Sequence, residues 1–253
     1  MLYFTQANKQ GATMKDSKDS KRVMIFSGAG LSAESGLRTF RDNDGLWEEF
    51  DIMEVCSASG FAKDRKKVLD FYDKRRIQLG EVNPNAAHKM IANLKAKYPK
   101  EIVVITQNVD DLLERAGCKD VIHLHGFLPE VRCELCEAIT NIGYVAMPKL
   151  ICESCGEESL RHNIVMFSEY APNYALLGRE LERLNATENS LFVCIGTSGE
   201  VLNVAQFSQY AKKSVLNNLE SSWFDEYFSI CFIETAVSAA PKIERLVGEF
   251  IES

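Results

Sequence analysis

Short apolar runs alternate along this chain with longer stretches of mixed polarity. Val23 to Phe26, Ile102 to Thr106, Val121 to Leu124, Ser190 to Ile195, Val215 to Leu219 and Ser229 to Ile233 are rich in β-branched, aromatic and aliphatic residues and bounded by polar ones. Runs of that kind and length predict strands, the first two of them buried. Between them lie candidate helices. In Ala62–Leu79, the residues Val68, Leu69, Phe71 and Tyr72 form an apolar stripe and the lysines and arginines a wet face, the signature of an amphipathic helix. Asn83-Pro84-Asn85 punctuates the chain and opens a helix over 86–98, since proline and asparagine suit a first turn. Further helices are predicted over 110–116, stopped by Gly117, over 204–213 and over 240–251. Residues 41–54 read as loop. Strands alternating with helices imply an α/β chain with a doubly wound parallel sheet. Residues 128–163 break that rhythm, with four cysteines and little periodicity. No internal repeat or low-complexity segment is present.

The first strand empties into Gly28-Ala29-Gly30-Leu31-Ser32-Ala33, a G-x-G-x-x-A pattern opening a short helix. Glycines let a backbone turn sharply and approach a pyrophosphate, and the helix start offers amide donors and a positive dipole end. Taken alone, the fragment is equally a glycine-rich strand-to-helix turn without a ligand. The acidic ribose ligand of a dehydrogenase, due about 20 residues on, has no second strand to sit on.

At 253 residues the chain can hold one large domain with a smaller one inserted. A net charge of −7 argues against nucleic acid and membrane surfaces as partners, both of which attract a basic face. No apolar run reaches the roughly 20 residues of a membrane span. The first 20 residues read as a polar tail without a signal-peptide pattern, and Met14 is an alternative start. Cys56, Cys118, Cys194 and Cys231 stand alone, as reduced thiols do, so the expectation is a cytoplasmic monomer.

The other four cysteines form Cys133-x-x-Cys136 and Cys152-x-x-Cys155, fifteen residues apart. That spacing fits a four-thiolate zinc ribbon, and full occupancy by protein ligands makes the metal structural. His162 then falls to surface or packing duty.

Two segments at strand ends carry candidate chemistry. His123 and His125 alternate along a predicted strand and so share a face, and His125 precedes Gly126. A buried histidine bonded to a carbonyl is the bland account. Thr106-Gln107-Asn108-Val109-Asp110 places amides and a carboxylate at another strand end, where Asp110 also suits a helix cap.

Read through to Arg41, the run Gly28-Ala-Gly-Leu-Ser-Ala-Glu-Ser-Gly-Leu-Arg-Thr-Phe-Arg resembles the cofactor signature of the sirtuins, NAD-dependent protein deacylases. Thr106–Asp110, His125-Gly126 and Gly196-Thr197-Ser198 resemble three further family segments. The resemblance implies a Rossmann-like domain over 21–253, with a large lobe (21–45, 83–127, 164–253) and an inserted lobe, helical over 46–82 and zinc-binding over 128–163. It implies NAD as co-substrate, one structural zinc ion and acylated-lysine proteins as partners. It assigns the catalytic base to His125, with Asn108 assisting departure of nicotinamide. It puts Gly28, Ala29, Gly30, Ala33, Phe40, Arg41, Trp47, Gln107, Asn108, Val109, Asp110, Gly196, Thr197, Ser198, Asn218, Leu219, Glu220 and Ala236 around the nucleotide. Val165 and Phe167 would hold the peptide.

The ending Arg38-Thr39-Phe40-Arg41 with Gly45-Leu46-Trp47 resembles class III, whose Tyr-x-x-Arg recognises acidic acyl groups. Tyr72 and Arg75 match it at i and i+3 on one helix face. Ala33 is expected to leave room at the pocket wall. Without the family, Tyr72 is a core residue and Arg75 a solvated charge. The chain departs from the pattern at Ser168, where the family has glycine, at Asn203 in place of proline, and at Glu234 or Thr235 in place of glycine. An NAD-consuming ADP-ribosyltransferase or NAD hydrolase is the alternative on the same scaffold, and a non-catalytic binding module a third reading.

Overall fold

The computed structural model describes residues 20–37 and 51–253. The expectations for the tail to residue 19 and for Phe40, Arg41 and Trp47 lie outside the described residues. In chain order the elements are β1 (Lys21–Ser27), α1 (Gly30–Ala33), α2 (Ile52–Val55), α3 (Ala58–Lys63), α4 (Arg65–Glu81), α5 (Ala86–Lys97), β2 (Ile102–Thr106), α6 (Leu112–Arg115), β3 (Val121–His123) and β4 (Gly126–Cys133). They continue with β5 (Ile139–Asn141), β6 (Leu160–Ile164), α7 (Tyr174–Ala186), β7 (Asn189–Ile195), α8 (Val204–Ser208), β8 (Lys213–Asn218), β9 (Ile230–Ile233) and α9 (Ala236–Glu252).

Six strands form a parallel sheet in the order β3-β2-β1-β7-β8-β9. Val23 through Phe26 are fully buried because both faces of β1 are covered. Successive side chains point to opposite faces. Val23 and Ile25 therefore pack with Ile91 and Leu94 of α5 and Ile243 and Val247 of α9. Met24 and Phe26 pack with Leu177 and Leu181 of α7 and Phe207 of α8. The order reverses direction between β1 and β7, and the crevice at their carboxyl ends is where such sheets take ligands.

The second unit is an antiparallel sheet, β5-β4-β6. Its inner residues Leu128 and Ile164 share a core with Val55, Phe61, Val68, Phe71 and Leu79 from α2, α3 and α4. Arg76, fully buried, ties α4 to this sheet. Its Nε donates to the Leu128 carbonyl at 2.7 Å and a terminal nitrogen donates to Glu130 O at 3.1 Å. Asp73 faces it at 3.4 Å and accepts from His162 Nε2 at 2.9 Å. His162 is thus a packing residue, 1 % exposed.

Several elements differ from these expectations. The helix predicted over 62–79 is two helices, because Asp64 caps the second one through Lys67 N while Ser57 caps the first through Gly60 N. The loop predicted over 41–54 contains the start of α2, capped by Asp51. The helix from Val204 stops at Ser208, and α9 begins at Ala236 because Thr235 caps it upstream of Pro241. Helix α7 was not predicted, although Leu177, Leu181 and Leu184 recur at helical spacing and are buried against the sheet.

Candidate active site

The turns after β1 and β7 are pressed together at the reversal point. Gly28 N donates to Ile195 O and Gly30 N to Gly196 O, both at 2.9 Å. A Cβ on Gly28 would stand 2.7 Å from Gly196 O, and Gly196 itself has φ +65°. Glycine is required here because two backbones meet. The expectation that these amides wait for a diphosphate is corrected for Gly28 and Gly30, whose donors weld the turns together. Thr197 N donates to Asn218 Oδ1 at 3.0 Å, and Gln107 Nε2 to Thr197 Oγ1 at 3.0 Å. The ends of β1, β2, β7 and β8 thereby form one polar rim.

Beside the rim opens a cavity of about 540 Å³. Ten predicted site residues line it: Ala29, Tyr72, Arg75, Gln107, Asn108, Val109, Asp110, His125, Val165 and Phe167. His125 follows β3, and its Nδ1 lies 3.0 Å from Gln107 O. A carbonyl only accepts, so Nδ1 carries the proton and Nε2 keeps its lone pair. The hydroxyl of Tyr174 lies 3.0 Å from that lone pair. Burial holds the His125 pKa below its ordinary value, partly offset by the Gln107 carbonyl, so the ring is a neutral base at pH 7. His123 does not share this environment, although alternation predicts a common face. It is the last strand residue, sits between Asn108 O and Glu114 Oε1 at 2.8 Å each, and lines no part of the cavity. Burial pushes its pKa down, but the Glu114 carboxylate outweighs this and the net shift is upward.

Asp110 Oδ2 accepts from Ser32 Oγ at 2.9 Å and its Oδ1 from Leu112 N at 3.2 Å. The helix-cap reading of Asp110 is corrected by one residue: Asp111 is the N-cap of α6, and Asp110, one step earlier, makes a local turn bond to Leu112 N while lining the cavity wall. Asn108 Nδ2 donates to Ser32 Oγ at 3.2 Å. Burial raises the Asp110 pKa, with Ser32 opposing.

At the far wall Tyr72 donates to Cys56 Sγ at 3.3 Å, and Arg75 reaches Gln78 Oε1 at 3.4 Å. Burial lowers the Arg75 pKa, with Tyr72 and Asp110 opposing. Ala33 is corrected: among the described residues it is exposed and does not line this cavity, where Cys56 is a small wall residue. The segment after β6 closes one side. Val165 N donates to His125 O and Phe167 N to Cys56 O, both at 2.8 Å. Glu169 anchors its end, accepting from Met166 N at 2.8 Å and from Arg161 at 2.6 Å.

The Sir2 family profile matches residues 28–203. The chain is 58% identical over 233 residues to an NAD-dependent protein deacylase of Campylobacter jejuni, covering 92% of this chain and 98% of the relative. The chain belongs to the Sir2 family. Its fold matches a Sir2 homologue crystallised with NAD, at TM-score 0.79 and 33% identity over 92% of each chain. It also matches a Sir2 bound to acetylated peptide, at TM-score 0.74 and 28% identity over 90% of this chain and 94% of that one.

Against the family pattern the departures have local causes. Ser168 keeps the left-handed backbone that glycine favours, with φ +70°, a conformation costing other residues roughly 1–2 kcal/mol. Ser168→Gly is expected to stabilise the fold by about 1 kcal/mol after the added freedom of the unfolded chain is subtracted. Thermal melting checks this, and an unchanged or lower midpoint counts against it. Asn203 caps α8, accepting from Gln206 N at 3.1 Å. Glu234 pairs with Lys242 at 2.6 Å, and Thr235 caps the helix that begins at Ala236. Ser198, Asn218, Leu219, Glu220 and Ala236 lie off the cavity at the carboxyl ends of β7 and β8 and the start of α9. Leu219 and Glu220 are exposed there.

The four predicted cysteines converge, with their sulfurs all within 4.8 Å of one another. Cys133–Cys155 and Cys136–Cys152 are each separated by 3.7 Å. A tetrahedron with Zn–S arms of about 2.3 Å has edges of about 3.8 Å, so the donor set fits zinc. A disulfide needs sulfurs about 2 Å apart.

Sequence reasoning missed Cys56, Ser32 and Tyr174 as cavity residues. Ser32 sat inside the recognised turn. Cys56 and Tyr174 carry no motif, and only the fold brings them to the cavity.

Proposed function

We propose that this chain removes acyl groups from protein lysines at the expense of NAD and prefers acyl groups that end in a carboxylate. Its family and its 58% identity to a deacylase make it an NAD-dependent protein deacylase. The products of the reaction are nicotinamide, 2′-O-acyl-ADP-ribose and free lysine. The acidic preference is the finer reading.

The polar rim of Gln107, Thr197 and Asn218, with Asn108 and Asp110 below it, offers the paired donors and acceptors that a carboxamide and ribose hydroxyls require. Asn108 and Asp110 face the site where positive charge develops as nicotinamide departs. His125, neutral and held in one tautomer by Gln107 O, takes a ribose hydroxyl proton so that the sugar oxygen attacks the acyl carbon. Val165 and Phe167, on the segment anchored by Glu169, line the cavity and so contact the acyl-lysine that enters it.

One observation carries the acyl preference: Tyr72 and Arg75 line the same cavity as His125. An acyl chain entering past the base ends against a guanidinium and a phenol. A carboxylate satisfies both by charge-assisted hydrogen bonds of roughly 1.5–3 kcal/mol. A neutral acetyl group leaves the guanidinium without that gain, so selectivity for succinyl over acetyl of at least about tenfold follows. The test compares kcat/KM on succinyl- and acetyl-lysine peptides for the native chain and for Arg75→Met. The native chain should favour succinyl, and the variant should lose that preference while retaining acetyl turnover. Equal sensitivity of both substrates to Arg75→Met would remove Arg75 from acyl recognition, and free ADP-ribose formed without any acyl-lysine would remove deacylation itself.

A further inference from the structure

The Tyr174 hydroxyl stands where the reaction needs an open lone pair. Nδ1 of His125 is committed to Gln107 O, so Nε2 is the ring's single acceptor, and the Tyr174 hydroxyl lies 3.0 Å from it. The phenol is half-buried, lines the cavity, and stays protonated because burial raises its pKa. Among the described residues its oxygen accepts no hydrogen bond, and the residue lines the cavity.

This placement is built into the fold. Tyr174 opens α7, which is fastened to the sheet by Leu177, Leu181 and Leu184. The residue before it, Asn173, donates from Nδ2 to His123 O at 2.7 Å. Two neighbouring side chains at one helix start therefore grip the His123–His125 segment, one by its backbone and one by its catalytic ring. A helix anchored on three leucines holds both contacts in register.

We infer that Tyr174 is a further catalytic residue, relaying the ribose proton to His125. The ribose hydroxyl donates to the phenol oxygen while the phenol donates to Nε2. As the sugar oxygen forms its bond to the acyl carbon, the ribose O–H breaks and its proton moves to the phenol oxygen. The phenol's own proton moves to Nε2, so tyrosine ends neutral and the charge rests on imidazolium. The balance equals that of direct transfer, with one more proton in flight.

The inference rests on His125 as the base, and the experiment keeps the two apart. Nicotinamide exchange with an acyl-lysine peptide reports the step before proton removal, and release of free lysine reports the step after it. Tyr174→Phe keeps the ring and its packing. It should preserve exchange within about threefold and lower turnover by about 10–100-fold. Its rate in mixed light and heavy water should fall linearly, where the native curve bows. In the ligand-free protein the Nε2 nitrogen resonance of His125 should shift towards that of a free lone pair. Full turnover of Tyr174→Phe with an unchanged isotope curve overturns the relay while His125→Ala stays inactive. Loss of exchange and turnover together assigns Tyr174 to ligand binding and also overturns it. Retained turnover in His125→Ala overturns the base assignment itself.

Discussion

Replacing His125 with alanine lowers deacylation by about 10²–10⁴-fold, the usual worth of a positioned general base, and leaves NAD affinity nearly unchanged. The ring's contacts explain the separation: it touches Gln107 O and Tyr174, whereas the polar rim is bonded together without it. Isothermal titration with NAD and turnover of an acylated peptide measure the two quantities separately. The pH profile then identifies which histidine acts. A base works when deprotonated, so activity falls on the acid side through its pKa. Burial places His125 below the ordinary imidazole value of about 6.5, while Glu114 moves His123 above its own. An acid limb of kcat/KM below about 6.5 belongs to His125. A limb above it, together with activity surviving His125→Ala, would assign the chemistry to His123 instead.

How much of this was legible in the residues depended on whether the signal was local. The sheet was readable because a buried parallel strand must be apolar on both faces: Val23–Phe26 announces β1, and Ile102–Thr106 matches β2 residue for residue. The cysteine pairs were readable because a tetrahedral metal fixes its ligand spacing. Helix α7 carried a sufficient leucine pattern, and its omission removed Asn173 and Tyr174 from view, the two residues that grip the histidine segment. The two histidines look equivalent in the sequence because strand alternation is extended two residues past the end of β3. β3 ends at His123, and its partner Thr106 is the last residue of β2. Beyond that point the backbone turns and each ring finds its own carbonyl. Ala33 and Cys56 were exchanged for a different reason. The pocket wall is assembled from α2's end, α4 and the segment after β6, and no spacing in one stretch encodes such a meeting. Where the family glycine is replaced by Ser168, by contrast, the backbone was predictable: φ +70° shows that the fold kept the conformation and tolerated the wrong residue.

Removing zinc with a chelator should unfold the cysteine end of the inserted unit and abolish turnover, leaving the six-stranded sheet intact. The reason is the distribution of apolar residues. Leu128 and Ile164 at the base of the small sheet belong to the core shared with α4. At the metal end Leu135, Ile139, Val145 and Ile151 are all exposed, between 47% and 66%. That end has almost no core, whereas structural zinc binding supplies on the order of 10–16 kcal/mol, comparable to the whole stability of a domain. The Arg76 ties to Leu128 O and Glu130 O, with a longer one of 3.5 Å to Val145 O, fasten the base and one loop but not the cysteine turns. Turnover is lost because β6 runs from the metal end into Val165–Phe167, the wall that donates to His125 O. Released at one end, that wall no longer holds its register against β4, where Gly126 opposes Ile164. Hydrogen exchange after chelation should show amides over 133–159 exchanging freely while those of β1 and β7 stay protected. Restoring zinc should recover both protection and turnover. Unchanged protection over 133–159 after the metal is gone would mean that side-chain packing, and not the ion, holds the module.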